Sequence, residues 1–192
     1  MNKFNQHPIQ LVRKIISKIP ESNVELIFEK YIDGEKDNTI KRSKEIIVNF
    51  KQLTESWLDE TLNNLEYNEE LGFTSKIKVN KSYKYIPLID FKTKPEKFNE
   101  LKLCLEAIRL NNIYIYMSGS SYHGYLPDLL EKNKLDKFYA KILLLGSSDT
   151  IGSIVDLRWL GHSLNRGKSV LRWSNNRKTQ LPELISIINQ KD

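Results

Sequence analysis

The order of apolar and polar positions near the start of the chain predicts one helix followed by two strands. Apolar residues from Pro8 to Ile19 recur at the spacing of one helix face, and Pro20 ends the pattern. The segment Val24–Tyr31 alternates apolar with charged residues, as a half-buried strand does. The β-branched segment Glu45–Phe50 is predicted to be the returning strand.

The next segments predict a second helix and then a loop. Thr54 can cap a helix whose apolar side contains Trp57 and Leu65. The segment Asn68–Lys81 is predicted as a loop, with an ordered hairpin as the alternative. Residues 1–80 are therefore expected to form an N-terminal α/β subregion that packs against the rest of the chain as one unit.

The second half of the chain has a more regular pattern. Its predicted elements are strand 83–91, helix 95–111, strand 113–117, strand 122–126, helix 127–145, strand 168–173 and helix 181–189. The order β-α-β-β-α-β is that of a split βαβ unit, in which one face of an antiparallel sheet packs against two helices. We therefore predict an α+β fold in which residues 81–192 form an RRM-like antiparallel sheet core. The whole chain, 1–192, is expected to be a single domain.

Length and composition agree with one folded domain and exclude several other classes of protein. The 192 residues are 40% apolar and 28% charged, as in an ordinary globular protein. No apolar run approaches the roughly 20 residues that span a bilayer, and the segment Met1–Lys14 is too polar for a signal peptide. Cys104 is the only cysteine, so an intramolecular disulfide and a cysteine-based zinc cluster are excluded. We expect a cytoplasmic protein without a membrane partner.

The charge is unevenly distributed, and its positive part lies late in the chain. The net charge is +6. The segment Leu157–Pro182, called here the basic tract, contains no acid and six cations: Arg158, Arg166, Lys168, Arg172, Arg177 and Lys178. The segment Leu53–Gly72 has the opposite character, with six acids and neither Lys nor Arg. The basic tract predicts a polyanionic partner, DNA or RNA, with Arg158, Arg166, Lys168 and Arg177 as the contacting residues.

Two segments of the predicted sheet carry candidate chemistry. Asp90 ends an apolar strand, where a carboxylate can hold a metal ion, and an ordinary strand-end residue is the alternative. Further along, Ser118, Gly119 and Ser121 lie in a turn between two strands, and His123 follows. The amides and hydroxyls of such a turn suit a triphosphate, and a plain hairpin with an exposed histidine is the alternative.

A third segment, Ile154–Thr179, places a single acid, Asp156, ahead of the basic tract. On an alternating strand, Arg172 would make bidentate contacts to phosphate. Trp159 and Trp173 are interleaved with the cations, an arrangement that suits single strands whose bases stack on aromatic rings. The alternative is a solvated basic surface with both tryptophans in the core.

Taken in order, the three segments resemble the motif series of the archaeo-eukaryotic primase and primase-polymerase superfamily. That series has an acidic strand end of form hhhDxD, a Ser-Gly hairpin ending in histidine, a later single acid, and an arginine strand of form LR-x-x-S-x-x-K-T. The matching stretches here are Leu88-Ile89-Asp90, Ser118-Gly119 with Ser121-Tyr122-His123, Val155-Asp156, and Leu171-Arg172 with Ser174 and Lys178-Thr179. The family core is a split βαβ sheet, in agreement with the predicted elements.

The resemblance implies metal-dependent nucleotidyl transfer with a nucleoside triphosphate as substrate. Asp90 and Asp156 would hold Mg²⁺ or Mn²⁺ and, with His123, would be the catalytic residues. The phosphates would be contacted by Ser118, Ser121, His123, Arg172 and Lys178.

Lys92 departs from the family pattern, because the second carboxylate of the first motif is expected at this position. A cation there weakens at least one metal site. Three interpretations of this departure are open: another acid replaces the missing carboxylate, a single metal ion suffices, or catalysis has been lost while binding remains.

Three functions are therefore open. The first is a primase-polymerase that makes or extends primers. The second is a catalytically silent relative that binds nucleotide or nucleic acid within a larger assembly, with a protein partner subunit. The third is an RRM-like single-strand binder, which needs exposed aromatic residues on the central strands, with Tyr114 and Tyr116 as candidates.

Overall fold

The computed structural model describes residues 3–20, 23–32, 42–145, 154–176 and 180–189. Its helices are α1 (Pro8–Ile16), α2 (Glu55–Asn63), α3 (Phe98–Ala107), α4 (Lys132–Leu143) and α5 (Leu157–Arg166), with short 3₁₀ helices at Phe50–Gln52 and Pro95–Lys97. Its strands are β1 (Val24–Ile32), β2 (Arg42–Asn49), β3 (Glu69–Val79), β4 (Ser82–Tyr85), β5 (Leu88–Phe91), β6 (Ile113–Met117), β7 (Tyr122–Tyr125), β8 (Val170–Arg172) and β9 (Glu183–Ile188). Across the described residues, no helix has the length and apolar character that crossing a membrane requires.

The strands form two antiparallel sheets. The first sheet has the order β2-β1-β3-β4, and β8 also pairs with β3. The second sheet has the order β5-β7-β6-β9. The prediction of an α+β fold with antiparallel sheets is confirmed. The predicted helices at the start of the chain and after Thr54 are present, and the Thr54 side chain accepts the N–H of Trp57 as an N-cap.

The second sheet contains the predicted split βαβ unit, but three of its predicted parts are wrong. The strand predicted at 83–91 is two strands, β4 and β5, and β4 pairs with β3 of the first sheet. Strands β5 and β6 lie on either side of β7, with α3 connecting them. The strand predicted at 168–173 is β8, which pairs with β3 of the first sheet. Residues 181–189, predicted as a helix, contain β9, which supplies the fourth strand along β6. The exposed Ile185 and Ile187 alternate with the more buried Ser186 and Ile188, which is the period of a strand.

The long strand β3 is a further correction, since all of it lies in the segment 68–81 that was predicted as a loop, and the alternative of a hairpin is closer to the observed pairing of β3 with β4. Leu71, Phe73 and Ile77 on β3 are fully buried. Its polar residues Thr74 and Ser75 are also buried. The buried backbone of β3 has hydrogen-bond partners on both sides. Strand β1 pairs along one edge of β3, and strands β4 and β8 pair along the other edge.

Two groups of buried side chains hold the fold together. The first core lies on the first sheet beneath α1 and α2, and Leu88, Tyr116 and Tyr125 of the second sheet also pack into it. The second core lies between the other face of the second sheet and the helices α3 and α4. Both faces of the second sheet are therefore covered, one by the first sheet and one by helices. Side chains on the first of these faces lie where the two sheets meet.

Candidate functional site

Two neighbouring strands of the second sheet bring Asp90 and His123 together. The two residues are paired across β5 and β7, and Asp90 Oδ1 lies 3.9 Å from His123 Nε2. Because side chains alternate along a strand, both lie on the same face as Leu88 and Tyr125, where the sheets meet. The Asp90 side chain is 26% exposed, whereas that of His123 is 6% exposed. A partly solvated carboxylate thus lies next to a buried imidazole.

Asp156 is brought beside Asp90 by an isolated β-bridge. Phe91 pairs with Val155, and the backbone N–H of Asp156 donates to the carbonyl of Asp90 at 2.9 Å. Since Phe91 and Val155 both point into the second core, their neighbours Asp90 and Asp156 leave the backbone on the opposite side. Asp156 is also the N-cap of α5, where its Oδ1 accepts the N–H of Trp159 at 3.0 Å. One of its carboxylate oxygens is therefore engaged by the helix.

Arg172 lies on β8 of the first sheet, and its side chain extends to the region of Asp90 and His123. The residue is 6% exposed, and its Nη2 donates to the carbonyl of Ser118 at 2.6 Å. Its Nη1 donates to the carbonyl of Ser174 and lies 3.5 Å from that of Gln180. The acceptors in these three hydrogen bonds are neutral carbonyls. Within the described part of the chain, no salt bridge joins Arg172 to a carboxylate.

The turn between β6 and β7 provides the carbonyl that Arg172 contacts. The N–H of Ser118 donates to the carbonyl of Ser121 at 2.9 Å, which closes the turn. Gly119 has a φ of 104°, a backbone conformation that residues with a Cβ rarely adopt. Ser118 is buried and Ser121 is half-buried. The contact from Arg172 to this turn joins the first sheet to the second.

His123 is neutral at physiological pH. Burial lowers the pKa of its imidazole well below the ordinary value, and the positive charge of Arg172 lowers it further. Its Nδ1 is buried and has no hydrogen-bond partner in the described structure. A buried polar atom without a partner is uncommon in folded proteins and is often explained by a functional role.

The structure therefore brings together Asp90, His123, Asp156, Arg172 and Ser118, although 82 residues separate Asp90 from Arg172. We call this group the junction site, because it lies where the two sheets meet. Its roles in binding and catalysis remain predictions. Arg177 and Lys178 lie outside the described residues.

A comparison with protein families covers every element of the junction site. The family model described as "AEP-like: Archaeo-eukaryotic primase 1D-like" matches residues 49–184, which is more than two thirds of the chain. The chain belongs to this AEP-like family. No curated protein matches the chain. Membership confirms the superfamily resemblance and supports a primase-like, nucleic-acid-related function at the level of the family.

The residues that the structure describes at the junction site of this AEP-like protein do not provide the ligands of a two-metal centre. Among residues 3–20, 23–32, 42–145, 154–176 and 180–189, no group of three or more His, Cys, Asp or Glu side chains is placed to hold a metal ion. Asp90 and Asp156 are the acids of the junction site among the described residues, and Asp156 is engaged as a helix cap. Mg²⁺ needs near-octahedral oxygen ligands, and two ions share several carboxylates. The described donors do not fit such a centre.

Lys92 is placed to influence the same region. It follows the end of β5, and its N–H donates to the carbonyl of Ile154 at 2.9 Å, next to the bridge that holds Asp156. Alternation along an extended chain puts the Lys92 side chain on the same side as Asp90. Lys92 is exposed. The Lys92 ammonium therefore lies in the region where the family pattern has a carboxylate.

The basic tract of this AEP-like chain contains no acid, but acids from the first sheet neutralise part of its charge. Glu29 on β1 forms salt bridges with both Arg166 and Lys168, the latter at 2.7 Å, and Glu45 on β2 also pairs with Lys168. Arg158 is exposed in the first turn of α5. Arg166 and Lys168, which were predicted to contact nucleic acid, therefore already pair with described acids.

The tryptophans of the basic tract do not form a stacking surface. Trp173 is fully buried in the first core, with its ring stacked on Phe73 at a centroid distance of 4.8 Å. Trp159 is half-buried, and its Nε1 donates to the carbonyl of Val170 at 2.7 Å. The alternative in which both rings belong to the core is the one observed.

Three residues near the site were not singled out from the sequence. His7 is buried, its Nε2 lies 3.0 Å from the carbonyl of Trp173, and its Nδ1 caps α1 by accepting the N–H of Ile9. Glu70 on β3 is fully buried and accepts a hydrogen bond from Ser174 Oγ. The buried Tyr125 accepts the indole N–H of Trp173 at 3.1 Å. No local pattern marks them, because each contact joins distant parts of the chain.

The two buried histidines predict that the protein loses stability in mild acid. Burial lowers the pKa of His7 from 6.5 to about 4 and that of His123 well below 6.5. Because each folded-state pKa is depressed, the stability that depends on the neutral ring is present above pH 6.5 and is lost as the pH falls through the folded-state pKa, which for His7 is about 4. For His7 the loss is about 3 kcal/mol. Urea unfolding between pH 7 and pH 4 measures it.

The matched variants are His7→Asn and His123→Gln, which do not titrate. Each is expected to show a flatter fall in the free energy of unfolding over this range than the native protein. If the native protein and both variants lose stability with the same slope, the pKa directions of these two rings are wrong.

Proposed function

We propose that this protein is a primase-like member of the AEP-like family that binds a nucleoside triphosphate at the junction site. In this proposal Arg172 and His123 contact the phosphates, and the turn at Ser118 and Ser121 contributes amides and hydroxyls. Lys178 is the further proposed phosphate contact, and it lies outside the described residues.

The observation that carries the proposal is the buried guanidinium of Arg172. Burying a charge is costly unless an opposite charge compensates it. The acceptors that Arg172 has in the described structure are carbonyl oxygens, which carry no net charge. Three of the five N–H groups of a guanidinium suffice for three such acceptors, so donors remain for a ligand. A phosphate group would supply a negative charge in direct contact with the guanidinium, where the described acceptors are neutral, and it would supply further acceptors.

His123 supports the same ligand. Its Nδ1 is buried without a hydrogen-bond partner, and Arg172 is close enough to influence its charge. A neutral imidazole can present either an N–H donor or a lone pair, depending on its tautomer. A phosphate oxygen would accept from the N–H form and would satisfy an atom that is otherwise unpaired.

The site supports nucleotide binding more strongly than polymerisation. Positive groups at the junction site, Arg172 and the nearby Lys92, suit an anionic ligand. The described carboxylates are too few for two divalent ions, and family members that transfer nucleotides are expected to use such ions. We therefore propose that the isolated chain makes or extends primers poorly, and that a partner subunit within a larger assembly completes any transfer activity.

Nucleic acid is the second proposed ligand of the chain, in keeping with its family. Arg158 at the exposed start of α5 is a candidate contact, with Arg177 further along the basic tract. Arg166 and Lys168 contribute less in this proposal, because Glu29 and Glu45 already pair with them. A single-strand binder of the RRM type is less well supported, since Tyr116 is 2% exposed and Tyr114 packs against the first core.

Titration with ATP tests the nucleotide site. Arg172→Gln removes the buried charge and is expected to weaken ATP binding by about tenfold or more, because truncating a buried charged partner costs a few kcal/mol. His123→Gln is expected to weaken it by a smaller factor. Lys137→Gln is the charge-matched control, since Lys137 is exposed on α4, on the far side of the second sheet.

Isothermal titration calorimetry gives the affinities, and circular dichroism shows whether each variant is folded. Native-like ATP affinity in a folded Arg172→Gln protein, or an equal loss in Lys137→Gln, contradicts the proposed site.

A further inference from the structure

The first residues of the chain connect the two sheets beside the junction site. The backbone carbonyl of Gln6 accepts the N–H of Leu184 on β9, at 2.9 Å, in the second sheet. The adjacent His7 contacts the carbonyl of Trp173 at 3.0 Å, just after β8 of the first sheet. These two neighbours therefore hold both sheets at once. They lie outside residues 49–184, which the family model matches.

His7 has a fixed orientation. Its Nδ1 accepts the N–H of Ile9 at 3.1 Å, so this nitrogen carries a lone pair in the neutral ring. Nε2 then carries the hydrogen and donates it to the carbonyl of Trp173. The ring also packs edge-on against Trp173 at a centroid distance of 5.0 Å and against Phe4 at 5.7 Å. Both nitrogens and both flanks of the ring are thereby occupied.

The hydrogen bond from His7 to the Trp173 carbonyl takes the place of one that a neighbouring strand would otherwise donate to this carbonyl. The segment from Arg172 to Ser174 is fixed on one edge by β3, since Trp173 N–H donates to the Leu71 carbonyl at 2.7 Å and Leu71 N–H donates to Ser174 Oγ at 2.8 Å. The Trp173 carbonyl belongs to a fully buried residue and needs a partner as well. His7 is that partner.

We propose that His7 is a positioning residue for Arg172, which it aims at the phosphates of the bound nucleotide by holding the backbone of Trp173. This inference rests on the proposed nucleotide site. Arg172 precedes Trp173, and its Nη1 donates to the carbonyl of Ser174, so the guanidinium and the 172–174 backbone are one unit. Binding groups act well only when their supports hold them within a fraction of an ångström. Loosening the Trp173 carbonyl therefore loosens Arg172.

Two substitutions at His7 separate positioning from capping. Asn places an acceptor at the reach of Nδ1, so His7→Asn keeps the cap of α1 and loses the bond to the Trp173 carbonyl. Gln places a donor at the reach of Nε2, so His7→Gln keeps the bond to Trp173 and loses the cap. The two variants thus exchange the two hydrogen bonds of a single ring.

The test measures ATP affinity and thermal stability for the native protein, both His7 variants, Arg172→Gln, and the double variant with His7→Asn and Arg172→Gln. We expect His7→Asn to bind ATP about three- to tenfold more weakly than native, the factor for one hydrogen bond. His7→Gln should bind as native does while melting at a lower temperature. Because His7 acts through Arg172, His7→Asn should have no further effect on ATP affinity in the Arg172→Gln background.

The outcomes distinguish this inference from the proposed function. If the native protein does not bind ATP, the proposed site fails and the role of His7 fails with it. If the native protein binds ATP and Arg172→Gln weakens binding, native-like affinity in His7→Asn overturns the positioning role alone. Equal losses of affinity in the Asn and Gln variants, or an additive loss in the double variant, overturn it too.

Discussion

Replacing Trp173 by alanine is expected to lower the free energy of unfolding by about 3–5 kcal/mol, the usual cost of removing a large aromatic side chain from a core. Trp173 is fully buried and contacts three other rings: Phe73 at 4.8 Å, His7 at 5.0 Å and Phe28 at 5.2 Å between centroids. Its Nε1 donates to the hydroxyl of Tyr125 in the second sheet. The substitution therefore opens a cavity and breaks a hydrogen bond between the sheets.

Trp173→Phe is the matched control, because it keeps most of the ring and removes the N–H. A loss of about 1–3 kcal/mol is expected from the hydrogen bond that Tyr125 no longer receives, together with a small cavity. Urea unfolding followed by circular dichroism measures both variants, and an unchanged m-value shows that the denatured state is comparable. A loss below about 1 kcal/mol for Trp173→Ala contradicts the central position of this residue in the core.

The sequence predicted those parts of the fold whose signals are local. The helix after Thr54 was predicted because an N-cap preceded apolar residues at helical spacing, and both features are present. The pairing of β6 with β7 follows from two short strands joined by a glycine-containing turn. The convergence of Asp90, His123 and Arg172 was inferred from the order of motifs, which carries information from the whole family rather than from one segment.

The strand β3, predicted as a loop with a hairpin as the alternative, and the strand β9, predicted as a helix, differ from the prediction for separate physical reasons. In β3 the buried polar residues Glu70, Thr74 and Ser75 concealed the strand pattern, since their burial depends on partners far along the chain. In β9 the apolar residues are spaced closely enough to fit a helical face as well as a strand. The segment forms a strand because it pairs antiparallel with the edge of β6, with one register shift between Ser186 and Leu184.

The charges of the basic tract show the same limit. Arg166 and Lys168 have no acid near them in sequence, yet Glu29 lies more than 130 residues earlier and pairs with both. The contact between His7 and Trp173 spans 166 residues. Such pairs depend on how β8 joins the first sheet, and a single sequence read by periodicity contains no signal for that pairing.

Lys92 is the position where exchanging one side chain is expected to change the activity most. The native protein should bind ATP and extend a primer poorly or not at all, because Lys92 supplies positive charge where a metal-dependent transferase needs a carboxylate. Lys92→Asp places a third acid on the side of the strand that carries Asp90, beside the bridge to Asp156. We expect this variant to gain primer extension in magnesium or manganese, and to lose ATP affinity when a chelator removes divalent ions.

Two control variants distinguish the effect of charge at position 92 from the effect of adding a carboxylate that can bind a metal ion. Lys94→Asp changes the net charge by the same amount at an exposed residue beyond the end of β5, and should leave extension at the native level. Lys92→Gln removes the cation without adding a carboxylate, so ATP binding in chelator should weaken about threefold, with no gain in extension. Robust primer extension by the native protein that falls in Lys92→Asp would show that Lys92 belongs to a working catalytic site. A gain confined to Lys92→Asp instead means that this junction site has changed from catalysis towards binding, with a lysine charge in the place of a metal ligand.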